Sequence, residues 1–278
     1  MNLRFIAQAI ITGLPIVCLS AAGAAQTSAA GNPPSLAVAM DDSSDSYGAR
    51  MKAMRSLGQS LTPGEVQSLY VLMDRKAGMD RLPLNKLNAL KNEAADILRR
   101  QQKLPPDLTR KLMAMYADPG HDAVWRDYCI QHLGGCFARV AVAADQQAAR
   151  DVLWAATGER VGGIGGTALL ALCTNVGQAG IERDRLAARA YELAADGQTG
   201  ELTRITALQI CARLGERRIL PVARTLAQSA RSVPLRMSAV AAVGTLGEPA
   251  DRAVLEGYAR SDDVRLRTAA VSALKRLR

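Results

Sequence analysis

The chain has 278 residues and a formal net charge of +9, with 49% apolar but only 4% aromatic residues. Burial therefore rests on alanine and leucine, which suits closely packed helices, whereas sheets would need more β-branched and aromatic side chains. Two histidines in the whole chain, without an HExxH pair or a nucleophile elbow, leave little for hydrolytic or metal chemistry.

Residues 1–25 read as a secretory signal. Arg4 supplies the charge, Phe5 to Leu19 the apolar core, and Ala21-Ala-Gly-Ala-Ala25 the small residues of a cleavage site placed after Ala25, with Ala24 as the alternative. The apolar stretch is shorter than the ~20 residues of a spanning helix. Ile16-Val17-Cys18 lacks the small residue expected before a lipidated cysteine. No other stretch is long enough to span a membrane, so the processed chain is expected to be exported, periplasmic or secreted, with no integral membrane segment. Residues 26–47, ending in Asp41-Asp-Ser-Ser-Asp45, have no apolar face and are expected to be a disordered linker.

Residues 48–118 are expected to form a small helical domain that caps the C-terminal part of the chain. Thr62-Pro63-Gly64-Glu65 is a capping box with proline at the first helical position. The helix after it should bury Val66, Leu69, Tyr70 and Met73. Leu84, Leu87, Leu90, Ala94, Ile97 and Leu98 form a second stripe at spacings of three and four. Leu108, Leu112 and Met115 mark a short helix between Pro105-Pro106 and Pro119-Gly120.

From residue 119 a different pattern starts. Apolar helices end at Gly134, Gly177, Gly215 and Gly247, at intervals of 43, 38 and 32, where glycine would supply a left-handed C-cap. Second helices lie at about 146–157, 183–195, 220–230 and 250–261. The last part is the most regular. Leu202-Thr-Arg-Ile-Thr-Ala-Leu-Gln-Ile-Cys-Ala-Arg-Leu-Gly215 returns as Pro234-Leu-Arg-Met-Ser-Ala-Val-Ala-Ala-Val-Gly-Thr-Leu-Gly247 and as Val264-Arg-Leu-Arg-Thr-Ala-Ala-Val-Ser-Ala-Leu-Lys-Arg-Leu277. Its marker arginines, Arg204, Arg236 and Arg267, are spaced by 32 and 31 residues, a period that means stacked helix pairs.

On these residues, 200–278 resemble HEAT-like repeats of the armadillo type, with a weaker likeness over 121–200. The resemblance implies an all-α fold, a right-handed α-α superhelix (HEAT-like solenoid) over 119–278, preceded by the small helical domain. It implies binding of polypeptides or other ligands on the solenoid's surfaces and no reaction. The repeated His-Glu pairs of di-iron HEAT-like enzymes are missing, and an export signal speaks against a bilin lyase.

The candidate sites are few. Cys129, His132 and Cys136 lie at i, i+3 and i+7. On one unbroken helix they share a face, as metal ligands would, and seven residues rise about 10.5 Å, beyond the ~7 Å that a disulfide allows between Cα atoms. If Gly134-Gly135 end the helix, a Cys129–Cys136 disulfide becomes feasible in an oxidising compartment. Buried structural thiols are the third reading. Cys173 and Cys211 occupy equivalent repeat positions and read as core. Val161-Gly-Gly-Ile-Gly-Gly-Thr167 precedes a helix but lacks the strand and lysine of a phosphate loop, and reads as a turn allowing close packing. Met51, Met54, Met113 and Met115 read as core filling rather than copper ligands.

Charge is the remaining signal. Residues 26–200 carry 20 basic and 19 acidic side chains, whereas 201–278 carry 14 and 7. The marker arginines read as structural ion pairs or solvated faces. Arg213, Arg217, Arg218, Arg231, Arg265 and Arg267 are the candidate basic binding face, which would attract anionic partners. The expected function is an exported, non-catalytic scaffold for a protein or other anionic envelope macromolecule, without cofactor and without nucleic acid. The alternatives are a metal-handling protein using Cys129, His132 and Cys136, and an envelope lyase or assembly factor.

Overall fold

In the computed structural model, which describes residues 34–160 and 162–277, all regular structure is helical. Among these residues fourteen α-helices succeed one another: α1 Pro34–Met40, α2 Tyr47–Arg55, α3 Pro63–Met73, α4 Leu84–Arg100, α5 Leu108–Ala117, α6 Ala123–Cys136, α7 Ala143–Ala156, α8 Ile164–Thr174, α9 Arg183–Ala195, α10 Glu201–Leu214, α11 Leu220–Ser229, α12 Val233–Leu246, α13 Arg252–Tyr258 and α14 Val264–Arg276. Each odd helix packs on the even helix after it, giving seven hairpins. The even helices also pack side by side from α2 to α14, while the odd helices hardly meet. The chain is thus an all-α solenoid with a continuous front row of even helices and a looser back row of odd ones.

Local chemistry sets the helix ends. The Thr62 capping box forms as expected, with Glu65 N bonded to Thr62 Oγ1 and Thr62 N to Glu65 Oε2. Asp122, Ser232 and Asp263 cap α6, α12 and α14 through their side-chain oxygens, each satisfying amides that the first turn leaves open. The predicted core residues Leu69, Tyr70, Met73, Leu87, Leu90, Ala94, Ile97, Leu98, Leu108, Leu112 and Met115 are buried, whereas Leu84 is left exposed at the start of α4. Met51, Met54 and Met115 are buried, and Met113 packs against the core.

Three expectations need correction. The linker predicted over 26–47 is helical from Pro34 to Met40, with Leu36 and Ala39 fully buried. Those two apolar residues make no full stripe. They suffice because α1 is also held by Arg50, which donates to Ala39 O at 3.1 Å, and by Arg75, which donates to Met40 O at 2.8 Å. There is no domain boundary near 118, because α4 packs on α6 in the same row and the described residues form one compact unit. The signal of 1–25 and residues 26–33 lie outside the described residues.

The third correction concerns glycines. Gly215 is the left-handed C-cap predicted, at φ 74°, and Gly177 takes φ 86° in the turn after α8. Gly134 and Gly247 do something else. Gly134 lies inside α6, where a Cβ would overlap Ala171 Cβ of α8. Gly244 plays the same part between α12 and α14, against Ala273, and Gly166 between α8 and α10, against Thr203 and Thr206. Gly247 is extended, and a Cβ there would collide with Val243 O and stand 2.7 Å from Asp251 Oδ2. Gly134, Gly166 and Gly244 let front-row helices approach closely, and the Gly165-Gly166 pair, which lies inside α8, belongs to this packing role.

Candidate binding face

Five front-row helices carry arginine at their fourth position: Arg50, Arg126, Arg204, Arg236 and Arg267. The first four reach back to the C-terminal end of the preceding back-row helix, and Arg267 to the turn that follows α13. Nε of the first four donates to Ala39 O, Tyr116 O, Ala194 O and Ala227 O at 2.8–3.2 Å, and Arg267 Nη1 donates to Ser261 O at 2.6 Å. The four helix-end carbonyls have no partner within their own helices, so Arg50, Arg126, Arg204 and Arg236 are helix-end caps that fasten their hairpins, while Arg267 ties the turn after α13 to α14. Ion pairing, one role expected for Arg204, Arg236 and Arg267, is confined to Arg50 with Asp80 and Arg126 with Glu159. In α4 a lysine takes over, as Lys91 Nζ donates to Arg75 O at 2.8 Å.

The six predicted basic residues do not form one free face. Arg217 pairs with Glu248 at 3.2 Å, Arg218 with Glu216 at 2.6 Å, and Arg265 with Asp263 at 3.2 Å. Arg218 also stacks on Tyr191, and Arg267 holds the turn before α14. Arg213 and Arg231 remain exposed, on α10 and in the turn before α12. Four of the six candidates are thus engaged in or beside turns.

A continuous surface exists elsewhere. Each of α6, α8, α10 and α12 has a front-row neighbour on both sides and a back-row helix behind it, so a single direction stays open. The residues not buried there recur about every four positions: Asp127, Gln131 and Gly135; Thr167, Leu170 and Thr174; Ile205, Gln209 and Arg213; Met237, Ala241 and Thr245. Thr268, Ser272 and Arg276 continue the pattern on α14. One carboxylate, Asp127, stands in this ladder. Burial raises its pKa, against a hydrogen bond from Thr167 that lowers it. From α8 onward the ladder is neutral or cationic. The signal that sequence reasoning missed is the spacing of four counted from each marker arginine.

The Cys/His cluster is not brought together as a set of metal ligands. α6 runs unbroken through Cys136, so Cys129 and Cys136 are about two helical turns apart and the disulfide expected as one outcome is ruled out by the helix. Gly134 does not end the helix because its missing side chain is what Ala171 packs against. Burial raises the thiol pKa of Cys129, Cys136 (to about 11), Cys173 and Cys211 (to about 12), the opposite of what a thiolate ligand needs. His132 Nε2 is bonded to Asn92 Oδ1 at 2.9 Å, and burial pushes its pKa down to about 4. Among the described residues no three His, Cys, Asp or Glu side chains are grouped to hold a metal ion. In the chain without residues 1–25, the thiols of Cys129, Cys136, Cys173 and Cys211 should react with a thiol reagent only after denaturation, and all four should then be counted. A count of two would overturn this placement.

Comparison with known proteins agrees with the repeat architecture. A family model described as HEAT repeats matches residues 193–275, and the chain contains HEAT-like repeats. A search of curated proteins found no match. Solved structures similar to this chain include human deoxyhypusine hydroxylase in complex with glycerol, at 18% identity, TM-score 0.34, and coverage of 87% of this chain and 94% of that one. They also include the designed armadillo repeat protein YIII(Dq)4CqI, at 15% identity, TM-score 0.28, and coverage of 88% and 99%. Both likenesses are too distant to carry a functional conclusion.

Proposed function

We propose that this chain of HEAT-like repeats is an exported, non-catalytic scaffold that binds a polypeptide along the open face of its front row, favouring a neutral or acidic segment. The observation behind the reading is the ladder itself. From Thr167 to Arg276 it presents apolar groups (Leu170, Ile205, Met237) and cations (Arg213, Arg276) without a carboxylate. Apolar side chains supply contact area, and the cations favour opposite charge, chiefly through the association rate. The absence of catalysis is supported by the state of the reactive groups: both histidines are buried with lowered pKa values, burial being the main cause, and the four described thiols are enclosed, with pKa values raised by burial. Export rests on the signal-like residues 1–25. No described helix is long and apolar enough to cross a membrane.

A photo-crosslinking residue at Ala241 or Gln209 should give polypeptide adducts in the cell envelope, and one at Thr225, exposed on back-row α11, should give none. Arg213→Glu with Arg276→Glu should lower the yield severalfold, less so at high salt where exposed charges are screened. Equal adducts from Thr225, or none from Ala241 and Gln209, would remove the front face as the binding surface.

A further inference from the structure

We propose that the joint between the second and third hairpins is a pH-sensitive seam, in which protonation of His121 beside the buried Lys91 ammonium loosens α1–α4 from the rest of the solenoid. The seam has unusual polar content. Lys91 of α4 is 1% exposed and stands 4.3 Å from the Trp125 ring of α6, with Arg75 O as its one hydrogen-bond partner. His121, immediately before the cap of α6, is 4% exposed; Nε2 lies 3.1 Å from Asp74 Oδ1, while Nδ1 is buried without a partner. Asn88 Oδ1 and Trp125 Nε1 in the same seam are also buried and unpartnered. Buried polar groups are normally satisfied, so this concentration makes the joint weak.

The back row does little to reinforce it. An open cleft of about 230 Å³ separates α3 from α5, walled by Gln67, Val71 and Asp74 on one side and Lys111, Ala114 and Asp118 on the other. The hairpins are joined at the His121 end by the Asp74–His121 bond, the Lys76–Asp118 pair at 2.7 Å and Asn88 Nδ2 donating to Asp122 Oδ1 at 2.9 Å, and farther along the α4–α6 contact by the His132–Asn92 bond and by Arg139 donating to Arg99 O, Gln101 O and Gln102 O.

The charges facing His121 come from every element packed around it. Lys91 of α4 opposes its protonation, after burial; Asp74 at the end of α3 and Asp118 at the end of α5 favour it. Lys91 in turn faces Cys129 of α6, Asp122 at the α6 cap, Asp74 and Lys76. In neutral His121 the Nε2–H donates to Asp74 and only the Nδ1 lone pair goes unmet. Imidazolium would bring a second N–H with no acceptor and a second cation toward Lys91. The folded pKa lies below the ordinary histidine value, so the stabilisation from neutral His121 is complete above the unfolded value of about 6.5 and is lost as pH falls through the folded one.

The test is hydrogen exchange of the full chain at pH 7.5 and 5.5, corrected for intrinsic rates. Amides of α1–α4 should lose protection about tenfold relative to those of α9–α14 at the lower pH, as in a local opening, and His121→Gln should abolish the difference. Unchanged relative protection in the parent chain, or the same loss in His121→Gln, overturns the proposal. If His121→Gln does not fold, the NMR titration of His121 in the parent decides: titration below 6.5 supports the seam, and titration at or above it overturns it.

Discussion

Replacing Asp80 with alanine should lower stability by about 3–5 kcal/mol, the usual consequence of removing one partner of a buried ion pair. The side chains of Arg50 and Asp80 are both fully inaccessible, joined by two hydrogen bonds of 2.6 and 2.8 Å. Arg75 adds a third at 2.8 Å. Without Asp80, Arg50 would keep Ala39 O as an acceptor but have no countercharge inside the protein. Since repeats couple mainly to their neighbours, the loss should appear first as unfolding of α1–α4, read by hydrogen exchange or limited proteolysis near residues 41–46. Burial alone would raise the pKa of Asp80, but the bonds from Arg50, Leu82 N and Arg75 outweigh it and hold the carboxyl below its ordinary range. The stabilisation is therefore complete above that range and is lost as pH falls through the folded value. In Asp80→Ala this acid-dependent part should be missing. An unfolding midpoint within experimental error of the parent would show that α1 and α2 do not depend on the pair.

The same cluster explains why the N-terminal hairpins are hard to read in the sequence. Arg50, Arg126 and Arg204 are spaced by 76 and 78 residues, twice the repeat length, because Leu87 and Thr167 stand at the fourth positions of α4 and α8. A search for one arginine per repeat finds the run at 204, 236 and 267 and stops. The hidden members do the same job, which becomes visible when each is seen bonded to the carbonyl end of the preceding helix. α1 is illegible for another reason: seven residues with two buried side chains carry no periodic signal, and its position is set by Arg50 and Arg75, distant in sequence. The binding face fails differently. Composition counts arginines but not their partners, and the Arg217–Glu248 pair spans 31 positions. The open ladder depends on which helix faces have neighbours, a property of the assembled rows.

Glycine substitutions in the front row should separate two kinds of close contact. A Cβ added at Gly134 would overlap Ala171 Cβ but stand 3.0 Å from Ala171 Cα and 3.8 Å from its carbonyl carbon. A Cβ at Gly244 would overlap both Cα and Cβ of Ala273 and lie 2.8 Å from its carbonyl oxygen. In both helices alanine is intrinsically better than glycine by about 1 kcal/mol, and overpacking a tight contact costs about 1–3 kcal/mol. Gly134→Ala and Gly244→Ala should therefore both destabilise, with Gly244→Ala the worse. The double changes distinguish them. Ala171→Gly removes the atom that Gly134→Ala strikes, so the pair should recover most of the lost stability, in the manner of coupled neighbours. Ala273→Gly leaves the Cα and carbonyl in place, so Gly244→Ala with Ala273→Gly should stay destabilised, with the backbones of α12 and α14 forced apart. Thermal unfolding midpoints of the four variants check this. Rescue of Gly244→Ala by Ala273→Gly would mean that side chain, and not backbone, sets the spacing of α12 and α14.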